Sequence, residues 1–65
     1  MNRTEELIIQ NRALVERVAK EAKKKIGDNP WFAYEWGKNI IDDAMEGDPG
    51  AYYYGINRLV EVMGL

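Results

Sequence analysis

Apolar residues recur every three or four positions in three successive blocks, the repeat of α-helices that each bury one face. In the first block Ile8, Val15, Val18, Ala19, Ala22 and Ile26 share a stripe flanked by Leu7 and Leu14, with Lys20, Lys23 and Lys24 turned away from it. In the second, Ala33, Gly37, Ile40, Ile41 and Ala44 face one way and Glu35, Lys38, Asn39 and Asp42 the other. In the third, the inward set is Tyr52, Ile56, Leu59, Val60 and Met63, opposite Asn57, Arg58 and Glu61. On the first helix, Glu16 with Lys20 and Glu21 with Lys25 have the favourable i,i+4 orientation.

Two loops separate the blocks and share one grammar. At Gly27-Asp28-Asn29-Pro30 a glycine suited to a left-handed helix end precedes capping side chains and a proline, and Gly47-Asp48-Pro49 repeats the order. Proline fits the first helical position because its missing N–H would have no intrahelical partner there. The spacing predicts helices over about 3–26, 30–46 and 49–63, with Asn2 and Glu5, or Thr4, capping the first. Loops this short make consecutive helices antiparallel, so the expected fold is all-α: one domain over 1–65, an up-down-up three-helix bundle with Gly-Asp-(Asn)-Pro loops.

Three positions depart from the simple pattern. Gly37 and Gly55 lie inside helices, where each costs about 1 kcal/mol against alanine. Counting back from the loops sets Gly37 level with Ala19 and Gly55 near Ile40, crossings at which small residues let helix axes approach. Asn11 interrupts the apolar stripe of the first helix, so its amide must find a carbonyl, reach solvent, or act as a polar register device against another helix.

Composition narrows the chemistry. The chain has 65 residues with neither cysteine nor histidine, which removes disulfides and the usual zinc and haem ligands. It also lacks serine, and its single threonine, Thr4, stands at a helix start, so no nucleophile–base pair is available. Asp42, Asp43, Glu46 and Asp48 gather near the second loop without the ligand spacing of a calcium loop, and read as a solvated face and a cap. No enzyme activity, cofactor or metal is expected. No apolar run is long enough for a signal peptide or a spanning helix, which makes a soluble cytoplasmic or recombinant protein the expectation.

Net charge is −2, but its distribution is uneven. Residues 1–28 carry seven Lys or Arg against five Asp or Glu, and residues 29–65 carry two against six. The first helix is basic on its outer side through Arg12, Arg17, Lys20, Lys23, Lys24 and Lys25. The second and third helices resemble a helix-turn-helix only superficially, because the recognition position holds Arg58 alone among tyrosines and acids. Neither nucleic acid nor membrane is expected as a partner.

All seven aromatic residues fall between positions 31 and 54: Trp31, Phe32, Tyr34, Trp36, Tyr52, Tyr53 and Tyr54. They cannot all point inward. One reading has the rings cover the bundle ends, Trp31 and Phe32 against Ile26 and Met63, and Tyr52 and Tyr53 against Leu7 and Ile8, with Tyr54 exposed. The other makes Phe32, Trp36, Trp31, Tyr54 and Tyr53 a protein-binding surface, since Trp and Tyr dominate interface hot spots. Phe32 and Trp36 resemble the first two anchors of helical peptides that dock in a ubiquitin-ligase cleft, but Asn39 replaces the third. The first helix also outruns its partners by about two turns, leaving its start with little to pack on. Leu7, Ile8 and Ile9 there are candidates for homodimer contact.

Uniform glycine–cap–proline loops, favourable helix charges and the absence of Ser, His and Cys together resemble computationally designed three-helix miniproteins. The resemblance is one of style. It implies a helical scaffold whose purpose is its fold. The internal glycines and the tyrosine run depart from it and fit either a deliberate test of unusual packing or a selected binding surface; the alternatives to the scaffold are a helical protein-binding module and a small natural microbial or phage regulatory protein.

Overall fold

A computed structural model describes residues 1–27 and 29–65; Asp28, one of the expected capping residues, lies outside the described residues. The element order is α1 (Arg3–Lys25), α2 (Pro30–Ala44) and α3 (Pro49–Met63), and all three helices pack on one another as a three-helix bundle. At about 1.5 Å per residue, the 23 residues of α1 reach about 35 Å, and the 15 of α2 and α3 about 22 Å. The molecule accordingly measures 39 × 17 × 15 Å.

Local chemistry fixes each start. Asn2 Oδ1 accepts from the Glu5 N–H at 2.9 Å, with Glu5 and Glu6 in the first turn against the positive end of the dipole. Asn29 Oδ1 accepts from the Phe32 N–H at 3.1 Å, and Asp48 Oδ2 from the Ala51 N–H at 2.9 Å. Pro30 and Pro49 stand in the first turns of α2 and α3. The ends differ from the expected glycine stops. Gly27 is not left-handed, and α1 closes on Ile26, whose N–H donates to the Lys23 carbonyl at 3.3 Å. The second helix stops at Ala44, two residues early, because Glu46 as well as Gly47 turns left-handed, at φ 52° and 77°.

The core is assembled from Leu7, Val15, Val18, Ala19 and Ala22 of α1, Ala33, Ile41 and the adjoining Met45, and Ala51, Leu59 and Met63 of α3. Most of the expected inward positions are buried, among them Val15, Val18, Ala19, Ala22, Ala33, Gly37, Ile41, Leu59 and Met63, but the faces are rotated at the start of α1 and along α3. Leu7, only 1% exposed, takes the central place assigned to Ile8, and α3 turns Ala51 and Gly55 inward while Tyr52, Ile56 and Val60 remain half-buried. The cause is axis spacing. A Cβ on Gly55 would lie 2.5 Å from Ile41 Cγ2, and one on Gly37 would lie 3.0 Å from Leu59 Cδ1 and 3.5 Å from Ala22 Cβ. Gly55 therefore admits Ile41 rather than Ile40, and Gly37 admits Leu59 with Ala22 rather than Ala19. With small residues at the centre, large rings are left to the flanks.

The start of α1 is not short of partners. Thr4 donates to Asp48 Oδ2 at 2.8 Å, Arg3 pairs with Glu46, and Leu7 is buried beside them. Asn11 donates to the Leu7 carbonyl at 2.9 Å and leans toward the Ala44 carbonyl at 3.5 Å, so its amide is satisfied within the chain. No buried side-chain polar atom lacks a partner among the described residues.

Candidate functional site

The seven aromatic rings do not form one surface. Trp31 and Phe32 are 68% and 62% exposed at the start of α2, and Tyr53 is 67% exposed on the outside of α3. Expected to cover Ile26, Met63, Leu7 and Ile8, these three instead face solvent. Tyr54, expected outside, is half-buried against the core, as are Tyr34, Trp36 and Tyr52. Consecutive helical residues are about 100° apart, so a helix with Gly55 at its contact line must bring Tyr54 toward one flank and swing Tyr53 out. Tyr54, with Asn57, Arg58 and Glu61, lines a shallow depression on α3, away from Phe32 and Trp36. The five-residue binding surface is thus split among separate faces.

The self-association set is also divided. Leu7 belongs to the core, Ile8 is half-buried, and Ile9 alone is exposed, at 55%. A single exposed isoleucine is ordinary for a protein surface.

What the structure does bring together is an open groove of about 740 Å³ between α1 and α2. Its floor is apolar: Leu14 and Val18 from α1, Trp36 and Ile40 from α2. These four lie at i,i+4 spacing on their own helices, which turns each pair toward the shared seam. The rim on the α1 side carries Arg17, Lys20, Lys23 and Lys24 with one acid, Glu21. Lys24 pairs with Glu21 at 3.3 Å, and Lys25 Nζ sits 4.8 Å from the Trp36 ring centroid. Arg17, Lys20 and Lys23 have no ion-pair partner among the described residues. The expected pairs of Glu16 with Lys20 and Glu21 with Lys25 do not form, because Glu16 is drawn to α3 and Glu21 to Lys24.

The opposite seam, α1 with α3, is closed by charge. Arg58 donates to both oxygens of Glu16, at 2.7 and 2.8 Å, and also pairs with Glu61. The Arg58 hydrogen bonds hold the Glu16 carboxyl below its ordinary value against a partly opposing desolvation, and the same contacts raise the guanidinium. At the start of α3 the Ala51 N–H and then the Thr4 hydroxyl lower the Asp48 carboxyl. A smaller depression of about 430 Å³, lined by Pro30, Trp31, Tyr34 and Leu65, lies on α2 near the C-terminus, with the Trp31 and Tyr34 centroids 5.9 Å apart. Asp42, Asp43, Glu46 and Asp48 do not converge: Asp48 caps α3, and Glu46 pairs with Arg3.

The groove was not visible as a unit in sequence. Trp36 was legible as a candidate anchor and the lysines as a basic face, but their meeting depends on how α2 packs on α1, where Gly37 lies close to Ala22. The fold defines the molecule as an all-α three-helix bundle. No protein-family model, curated protein or solved structure matches the chain.

Proposed function

We propose that this protein acts by binding another protein, with the α1–α2 groove as its contact surface, and not by catalysis. The observation that carries this reading is the groove floor: half-buried Leu14, Trp36 and Ile40, with Val18 beneath them, line an apolar trough that is open on one side. Concave apolar seams between two helices accept a third amphipathic helix in the manner of helix-in-groove recognition. Of the aromatic residues expected to bind, Trp36 lies in the groove and Phe32 precedes it by one turn on α2.

A second reading is a scaffold whose purpose is its own fold, the one implied by the resemblance to designed miniproteins. Its support is the dispersal of Trp31, Phe32 and Tyr53 over the surface and the capping of each helix start by Asn2, Asn29 and Asp48. Selection of helical peptides on the folded chain, followed by amide chemical-shift mapping, separates the two. Binding through the groove predicts a convergent apolar stripe in the selected peptides and shifts centred on Leu14, Val18, Trp36 and Ile40. Peptides that fail to enrich over an unfolded control, or that map to α3, return the chain to the scaffold reading.

A further inference from the structure

The rim of the groove says more than its floor, and an inference drawn from it rests on the binding reading above. We infer that the partner is an acidic amphipathic helix of about three turns, lying in the α1–α2 seam as a fourth helix with its carboxylates turned toward α1.

Charge carries the argument. The chain as a whole is acidic, with net charge −2. Three cations without an ion-pair partner among the described residues, Arg17, Lys20 and Lys23, nevertheless lie together on one edge of one groove, all exposed. Three acids that might have answered these cations are engaged elsewhere: Glu16 on Arg58, Glu46 on Arg3, Asp48 on the α3 cap. Among the described residues the basic edge has one acid of its own, Glu21, taken by Lys24, and the like charges of Arg17, Lys20 and Lys23 held close on one helix repel until an anionic partner arrives.

The two edges differ, and that sets orientation. The one cation of α2, Lys38, does not line the groove, and α2 also carries Glu35, Asp42 and Asp43, so its edge offers an anionic partner no ion pair. A docking helix gains ion pairs only if its acids flank the apolar stripe on the α1 side. Arg17 to Lys24 spans about 10 Å of helix, which about three turns of a partner overlap. The apolar floor lies beside these cations, in the trough between α1 and α2. A flat anionic bilayer would meet the lysines and leave the trough uncovered, and a phosphate backbone would leave it equally unfilled. A helix with an apolar stripe fills the trough and reaches the rim together.

The test uses the full chain and three fluorescein-labelled 14-residue helical peptides. They share one apolar stripe and carry Glu, Gln or Lys on the flanking positions, and binding is read by anisotropy. The Glu peptide should bind about tenfold tighter than the Gln peptide at low salt, as a few exposed ion pairs supply, with the Lys peptide weakest. At 500 mM NaCl the gap should close. The exposed substitutions Arg17→Glu, Lys20→Glu and Lys23→Glu together should reverse the order with the circular dichroism unchanged. Equal binding of Glu and Gln peptides, or an order that survives the reversal, overturns the acidic partner while leaving the groove. Failure of all three peptides to bind overturns the groove as well. Displacement of the Glu peptide by phosphatidylserine vesicles or duplex DNA at lower concentration than by unlabelled peptide overturns the assignment to a protein helix.

Discussion

Along α3, helix α1 is held by side chains that reach across the surface: Glu16 to Arg58 in a two-bond fork, Thr4 to Asp48 at the cap. Along α2 the same helix is held from beneath, by Val18, Ala22 and the edge of Trp36, while its cations project past the seam with only Lys25 crossing to the indole. Both faces belong to one helix, yet one has used its polar groups on the fold and the other has not. A face whose charges are already satisfied has little to offer a partner. Where the charges are unspent and the apolar floor is open, recognition has material to work with.

Both seams depend on the close approach of α2 and α3, so the largest effect should come from breaking that. Gly55→Val places its Cβ 2.5 Å from Ile41 Cγ2, with β-branched methyls beyond it. We expect a loss of about 3 kcal/mol in urea denaturation, since overpacking outweighs the roughly 0.5 kcal/mol that propensity returns. A domain this small has little more to lose. Gly37→Ala is the contrast. Its nearest neighbours are the terminal methyls of Leu59, at 3.0 and 3.2 Å, which can rotate aside, so stability should stay within about 1 kcal/mol of the parent. An unchanged midpoint for Gly55→Val would mean that the α2–α3 axes are farther apart than described.

The next comparison sets the seams against each other. Trp36→Ala removes a half-buried ring from the open seam and should cost about 2 kcal/mol, nearly independent of salt. Arg58→Ala removes the fork from the closed seam and should lower Tm by several degrees in dilute buffer. That difference should shrink in 1 M NaCl, where exposed charges are screened within about 3 Å. A salt-dependent Trp36 effect, or a salt-independent Arg58 effect, would contradict the division.

Acid should distinguish the seams too. Glu16 and Asp48 are held below their ordinary values of 4.5 and 3.8, so each favours the folded state while ionised. Their contribution is complete above those values and is lost as pH falls through the lower folded-state values. Melting at stepped pH should show stability level near neutrality and declining below about 4.5, where Glu16 begins to protonate in the unfolded chain. Glu16→Gln combined with Asp48→Asn should flatten that decline while keeping an oxygen to cap Ala51. A decline of undiminished slope would place the acid-sensitive groups elsewhere.

Much of the bundle was legible because its signals are local. Proline, Asn and Asp at helix starts act within one turn, and they fixed the beginnings of α2 and α3 at Pro30 and Pro49 to the residue. The rotation of the helices was less legible. Apolar side-chain area favours Tyr52 and Ile56 over Ala51 and Gly55 as core residues, but the helices approach closely enough that the contact line selects for smallness, which the apolar pattern does not report. The same rotation decides whether Phe32, Trp36 and Tyr54 share a face. The pairing of Glu16 was hidden for a related reason: an i,i+4 partner, Lys20, is visible in sequence, and a guanidinium 42 positions away is not.

The smallest effect concerns the outer clasp at Glu46, where side chain and backbone pull in opposite directions. Glu46 pairs with Arg3 in an exposed setting, which stabilises by at most about 1 kcal/mol. Its backbone sits at φ 52°, a left-handed conformation that costs a residue with a Cβ about 1 kcal/mol and glycine almost nothing. Glu46→Ala loses the pair and keeps the strain, whereas Glu46→Gly loses the pair and relieves the strain, at some cost from a more flexible unfolded chain. Calorimetry should therefore find Glu46→Gly close to the parent and about 0.5 kcal/mol above Glu46→Ala, in spite of glycine's usual deficit. Arg3→Ala should shift Tm by no more than a degree or two. Both variants lose the Arg3 pair, so their difference reads the backbone alone: if Glu46→Ala proved the more stable of the two, the turn after α2 would not be left-handed at Glu46.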